Sequence, residues 1–295
     1  MQSLIQILQT NPAFWLCAAT LFSLLVGSFL NVVIGRLPKA MHKQWQQDCR
    51  LLLELDEEQD SGQTTQPAIA SIAWPASHCP NCHTPLKSWH NIPVISYLLL
   101  KGQCAFCKLP ISPRYPAIEL LTAVLGFCVA WVLGPSLSGV LGLVLVYFLV
   151  AMSFIDLDHK LLPDQLTLPL MWLGLILNAF GTLTSLESAV WGAIGGYMSL
   201  WLVYWGFRLA TGKHGMGYGD FKLLAALGAW LGWQALPMIV LIATVTGIVV
   251  GVLLRLSNKT TDPQMPFGPF LSVGGLVYLL HGQQAWGLFS VVFLP

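Results

Sequence analysis

The chain has 295 residues, of which 55% are hydrophobic and only 9% charged, with a formal net charge of +1 and a mean hydropathy of +0.68. This composition excludes an ordinary soluble domain and makes an all-α polytopic membrane protein the leading class, with the lipid bilayer as its first partner. No basic stripe or arginine-rich helix marks a nucleic-acid surface, so no nucleic-acid partner is expected.

The first apolar run, about residues 14–34, lacks a basic leader and a small-residue cleavage site. It is too long for a signal-peptide core and reads as a retained span. Residues 37–113 form the only sizeable soluble segment. Its stretch 51–66 is acidic and then Gln/Thr-rich, which reads as a helix followed by a flexible linker without chemistry. From Trp74 onward, Pro, Cys and aromatic residues indicate a compact knob. Within it, Cys79-Pro80-Asn81-Cys82 and Cys104-Ala105-Phe106-Cys107 form two C-x-x-C pairs. Each pair can grip a metal from a tight knuckle, and together they complete a tetrahedral four-thiolate set for one structural zinc, with no open position for catalysis. The alternative, two disulfides, is disfavoured on the reducing side of a membrane. Cys17, Cys49 and Cys128 read as small buried or surface side chains.

Basic residues draw the topology. All 14 Lys and Arg can be placed on one side of the membrane, at stations running from Arg36 to Arg114, at Lys160, from Arg208 to Lys222, and at Arg255 and Lys259. The apolar stretches between stations are each broken once, at Gly134-Pro135-Ser136, at 181–187, and around Gln234 and Pro237. Each is therefore a hairpin. With a single crossing at each end this gives eight spans, a cytoplasmic basic side and both termini outside. The stretch between Lys222 and Arg255 leaves only about sixteen residues per span, against the roughly twenty a bilayer needs, so those helices are expected to be short or tilted.

Two carboxylates stand out. Asp156 closes an apolar run at Phe154-Ile155-Asp156, and Asp220 ends Gly215-Met216-Gly217-Tyr218-Gly219-Asp220. An acid at membrane depth is costly and is a functional-site hypothesis by default. The glycines before Asp220 weaken or interrupt a helix, and irregular backbone at that depth survives only inside protein or against a wet cavity. Asp158 points to a different helical face from Asp156, and Asp164 reads as the cap of a helix beginning near Gln165. Two carboxylates about a water share a proton. The ionised one accepts a proton from the water as it attacks a peptide carbonyl, and the protonated one polarises that carbonyl and then protonates the leaving amine. No G-x-S-x-G elbow, H-E-x-x-H or Cys/His pair outside the knuckles competes with them.

The chain closely resembles the bifunctional type IV prepilin peptidases. The matching segments are Gly27-Ser28-Phe29-Leu30-Asn31-Val32-Val33 with Arg36-Leu37-Pro38, both knuckles, and Ile92-Pro93-Val94-Ile95-Ser96-Tyr97. Further matches are Arg114-Tyr115-Pro116 with Glu119-Leu120, the stretches 156–168 and 215–222, and Pro266-Phe267-Gly268-Pro269. The resemblance implies a GxGD-type aspartyl protease of the bacterial inner membrane, distantly akin to presenilin-like proteases, with Asp156 and Asp220 as its aspartates. Its substrates would be prepilins or type II secretion pseudopilins, cut on the cytoplasmic side after the glycine that ends a basic leader. The new N-terminal residue would then be methylated with S-adenosylmethionine as donor.

On this reading residues 1–36 are the first transmembrane helix, 37–113 a cytoplasmic insert with the zinc knob and a methyltransferase association, and 114–295 the transmembrane peptidase domain. No Rossmann-type glycine motif marks a donor site. Glu119 is the candidate to contact the donor or the substrate amine, the alternative being a helix-end acid paired with Arg114. Gly102, beside the second knuckle, marks either a close backbone approach or a turn. Two other function classes compete: an ion- or proton-coupled transporter using the same acids, and a membrane scaffold whose knob recruits partners. A transporter relay predicts acids spread through the membrane, whereas these cluster at one face.

Overall fold

The structure, a computed structural model, describes residues 11–53, 78, 79, 81–213, 215–257 and 265–293, and of residues 88 and 283–293 the backbone alone. The regular structure among them is helical, as the composition predicts. Helix α1 is Pro12–Leu52, a 3-10 turn spans Ser88–Asn91, and α2 is Ile95–Leu99. Then follow α3 (Arg114–Leu133), α4 (Leu137–His159), α5 (Asp164–Ala179), α6 (Leu186–Thr211), α7 (Tyr218–Leu231), α8 (Ala235–Leu256) and α9 (Gly268–Phe293). Packing divides the chain into two compact units, Leu21–Ala123 and the rest, with boundaries inside α1 and α3.

Four helices among the described residues are long and apolar enough to cross a membrane: α1, α3, α4 and α8. On α8 the side chains of Val245, Ile248 and Leu253 are 52–61% exposed. Apolar faces without a protein partner on such a helix fit contact with lipid, so the chain is a multi-pass membrane protein. Helix α1 differs from expectation. Its 41 residues continue past the first span without a break, so that residues 37–52 begin the expected soluble segment as an extension of the same helix. At ~1.5 Å per residue it reaches about 60 Å, roughly twice the hydrocarbon thickness. Beyond residue 53 the expected helix and linker over 51–66 lie outside the described residues, as do Trp74, Pro80 and Lys259.

The hairpin breaks fall where the sequence puts them. Ser136 starts α4 by accepting the Gly139 N–H at 3.0 Å, and Ser185 starts α6 by accepting the Ser188 N–H at 3.2 Å. Each hydroxyl satisfies an amide that the helix itself leaves without a partner. The shortage of residues between Lys222 and Arg255 is not shared equally. Helix α8 has 22 residues, whereas α7 has only 14. Helix α7 is the core of its unit, with Phe221, Leu223, Leu224, Leu227 and Trp230 fully buried, and α5, α6 and α9 pack around it. Surrounded by protein, it has no need to match the bilayer thickness.

Close packing explains how so short a helix is held. Gly192 of α6 faces Gly228 of α7, and a Cβ added at either would come within 2.3 Å of the other's carbonyl oxygen. Small residues at such crossings let helix backbones touch where no hydrophobic drive operates. At the far end of α7, Asn178 donates to the carbonyls of Ala229 and Trp230 at 2.8 and 3.1 Å, while its Oδ1 accepts the N–H groups of Leu183 and Thr184. One buried amide thus serves orphan backbone groups of two elements. The Trp230 indole donates to the Leu170 carbonyl at 2.8 Å and fixes α5 against the same helix.

Candidate active site and metal centre

Asp156 lies in the last turn of α4, which ends at Lys160 in the left-handed conformation (φ +52°) with its N–H on the Asp156 carbonyl at 2.8 Å. Asp220 lies in the first turn of α7, after a break that begins at Gly212 (φ +70°). Both side chains are buried, at 5% and 7% exposure. The Leu162 side chain packs against Gly219, the neighbour of Asp220, and against Gly268 beside Asp156, so the structure brings the two helix ends together. Asp158 is exposed on another face of α4, as its offset from Asp156 predicts.

The glycines before Asp220 divide their work. A Cβ on Gly219 would sit 2.7 Å from the Leu162 Cβ, and one on Gly215 would sit 2.9 Å from the Phe207 ring. A Cβ on Gly217 would meet the Asp220 Oδ2 at 3.8 Å and the Gly219 N at 4.0 Å, both ordinary contacts. One further group reaches the acids. The Gly268 N–H, at the start of α9, donates to Asp156 Oδ2 at 2.9 Å. Pro269, a residue favoured in the first turn of a helix, at the head of an apolar run is the signal for that start, but not for its target.

Asp164 corrects an expectation. It is the first residue of α5 and makes no cap. Pro163 holds the cap position, without a side-chain hydrogen bond. The Asp164 carboxylate instead takes the Lys222 ammonium on both oxygens, at 2.6 and 2.8 Å. Proline pre-shapes the helix start, which frees the acid for an ion pair with the first turns of α7.

In the N-terminal unit, Glu119 is 7% exposed and its Oε2 accepts the Val94 N–H at 2.8 Å. A Cβ on Gly27 would lie 2.9 Å from the Glu119 Cα, so this glycine is what lets α1 and α3 approach. Asn31, one turn along α1, donates to the Tyr115 carbonyl at 3.1 Å. These contacts give structural work to the Gly27–Asn31 segment, which the sequence marks only as a pattern.

The knuckles are two copies of one turn. In each, the first cysteine's carbonyl accepts an N–H from a residue in the left-handed region, His83 (φ +54°) for Cys79 and Lys108 (φ +59°) for Cys104. Its own N–H donates one residue further on, to the carbonyls of Thr84 and Leu109. The four cysteines are free thiols whose Sγ atoms lie within 4.8 Å of one another, with Cys79 and Cys107 at 3.7 Å. Four bonds of ~2.3 Å to a tetrahedral zinc set sulfurs about 3.8 Å apart, so the cluster can hold a metal ion.

Local donors favour the thiolate. The Thr84 hydroxyl lowers Cys82, the Cys107 and Phe106 amides lower Cys104, and the Leu109 amide lowers Cys107 from the ordinary thiol value. Cys79 goes the other way. The amides of Cys82 and Asn81 pull it down, but burial and the Cys82 and Cys104 thiols outweigh them. Gly102 lies in a turn at φ +68°, and a Cβ there would lie 3.0 Å from the Tyr97 hydroxyl.

Known proteins share this arrangement of segments. The family model described as the bacterial peptidase A24 N-terminal domain matches residues 21–133, and that of the type IV leader peptidase family matches residues 143–252. A "Prepilin leader peptidase/N-methyltransferase" of Stutzerimonas stutzeri is 52% identical over 282 residues, 95% of each chain. Proteins of the same name from Pseudomonas aeruginosa and Aeromonas hydrophila are 48% and 47% identical, over 95% and 100% of each chain. These names leave the transporter reading unsupported. No solved structure gives a significant match. With both halves matched in order and relatives this similar along its whole length, the chain belongs to the type IV leader peptidase family.

Proposed function

We propose that the chain is a prepilin leader peptidase and N-methyltransferase, with Asp156 and Asp220 as the catalytic pair. The observation that carries the peptidase half is a buried carboxylate at each of two helix ends that pack against the same leucine, Leu162, within a family whose members bear that name. A water between them would attack the scissile carbonyl, one carboxylate accepting its proton and the other donating to the departing amine. Substrates are prepilins or pseudopilins, cut after the glycine of a basic leader.

The charge pattern supports eight spans in a bacterial inner membrane, with the acids facing the cytoplasm where a basic leader lies. In this arrangement residues 1–36 form the first span, 37–113 the cytoplasmic insert and 114–295 the peptidase domain, and the four cysteines hold one zinc ion that folds the insert. S-adenosylmethionine supplies the methyl group of the second activity. Glu119 would receive the substrate's new amine or the donor's cationic centre, since a buried carboxylate is a natural partner for a cation. Gly102 would contribute backbone to the donor site.

The direct test is incubation of the purified full-length chain with a prepilin, with and without S-adenosylmethionine, followed by mass spectrometry. Leader loss in both samples and one added methyl only with the donor are expected. An uncut prepilin refutes the peptidase, and a cut but unmethylated product refutes the transferase.

A further inference from the structure

We propose that Gly268 is a positioning residue for Asp156, and that Leu162 is the spacer that sets this carboxylate against Asp220. The inference rests on the peptidase reading of the pair and goes beyond it by naming what holds the geometry.

A carboxylate in the last turn of a helix has several staggered rotamers open to it. Burial alone does not select among them. The Gly268 N–H does, by anchoring Asp156 Oδ2 at 2.9 Å in a buried contact. The donor is well placed for the task. Amides in the first turn of a helix have no partner within it, and α9 begins at Gly268. Pro269 follows and fixes the backbone there.

Only glycine fits. A Cβ at this position would lie 2.7 Å from Asp156 Oδ2, 3.3 Å from its Cγ and 3.2 Å from Leu162 Cδ2. The same Leu162 side chain confronts Gly219 from the other side, with its Cβ 2.7 Å from where a Gly219 Cβ would be. Leu162 is 6% exposed and belongs to the short link between α4 and α5. One leucine therefore separates the N-terminus of α7, which carries Asp220, from the N-terminus of α9, which holds Asp156. Neither neighbour can gain a methyl group without moving an acid or the leucine.

The experiment uses the full-length chain in nanodiscs with a prepilin substrate, measuring kcat and KM for cleavage and, separately, methyl transfer to an already cleaved pilin. Gly268→Ala is expected to lower kcat about 10²-fold, the cost of a small misplacement of a reacting group, and to leave KM within about twofold. Leu162→Ala, which removes the spacer, is expected to lower kcat as well, and in the Gly268→Ala background to cost less than it does alone, a coupling that independent sites do not show. Methyl transfer at the wild-type level certifies that the variants are folded. Wild-type kcat in Gly268→Ala overturns the inference, as does a loss shared equally with methyl transfer, and wild-type kcat in Leu162→Ala overturns the spacer role. Asp156→Asn, run in parallel, separates the two levels. If it still cuts, the peptidase reading fails and takes this inference with it; if it is dead while Gly268→Ala is normal, only the positioning role fails.

Discussion

Val94 gives its backbone N–H to Glu119 Oε2 at 2.8 Å while holding φ at +59° and ψ at −48°. A β-branched residue in this region is an outlier, and the adjacent Ile95 N–H turns back to the Pro93 carbonyl in a γ-turn of the strained hand. Such a conformation costs about 1–3 kcal/mol and persists only when its surroundings impose it. Here it turns the Val94 N–H onto a buried carboxylate.

Substitutions at this pair separate charge from packing. Val94→Gly removes the strain and keeps the amide, so the melting temperature in detergent is expected to be no lower than wild type. Glu119→Gln keeps an acceptor for Val94 but removes the charge. It is expected to lower methyl transfer at least about tenfold with cleavage retained, the loss of a charged contact being worth ~1.5–3 kcal/mol. Glu119→Ala leaves the Val94 amide unsatisfied and lowers the melting temperature as well. Normal methyl transfer in Glu119→Gln removes Glu119 from the donor or amine site.

The cysteine cluster predicts one metal ion per chain by elemental analysis. Cys79→Ser or Cys104→Ser breaks the four-ligand set and is expected to abolish stoichiometric metal and destabilise the insert, because binding energy in such knobs is folding energy. Metal content unchanged in both variants contradicts a four-cysteine site.

Lys222 and Asp164 make a bidentate pair, but their side chains are 28% and 53% exposed. Exposed pairs contribute about 0.2–1 kcal/mol, so a double-mutant cycle of Asp164→Ala and Lys222→Ala should give a coupling no larger than that. Asp164→Asn is expected to keep cleavage within a few-fold of wild type. Its complete inactivation would make Asp164 part of the reaction.

Gly228→Ala tests the helix crossing. Its methyl group would lie 2.1 Å from the Gly192 carbonyl oxygen, which is backbone and cannot swing aside. Overpacking of this kind costs about 1–3 kcal/mol or more, and a lower melting temperature with loss of both activities is expected. An unaltered melting temperature shows that α6 and α7 do not touch there.

Much of this was legible in the residues. Asp156 and Asp220 stood out because acids are expensive in an apolar chain, and the cysteine pairs because their spacing has a fixed geometric meaning. The hairpin breaks followed from Gly, Pro and Ser at the turns. The rest depends on tertiary neighbours that no local pattern names. Nothing around Gly268 says that its amide meets Asp156, 112 residues earlier. Asp164 looked like a cap because caps are local, and Pro163 together with Lys222 reassigned it. Val94 adopts a conformation its own side chain disfavours, so propensity points away from it. The stretch between Lys222 and Arg255 is too short for two lipid-facing spans, and no local pattern says that α7 is surrounded by protein.

The most direct measurement is the rate of prepilin cleavage by Asp156→Asn and Asp220→Asn, each purified as the full chain and checked for methyl transfer to a cleaved pilin. Each substitution preserves size and removes the ionisable group. Cleavage reduced by about 10³-fold or more in both variants, with methyl transfer intact, is the result an aspartate pair requires. Cleavage at the wild-type rate in either variant would contradict it.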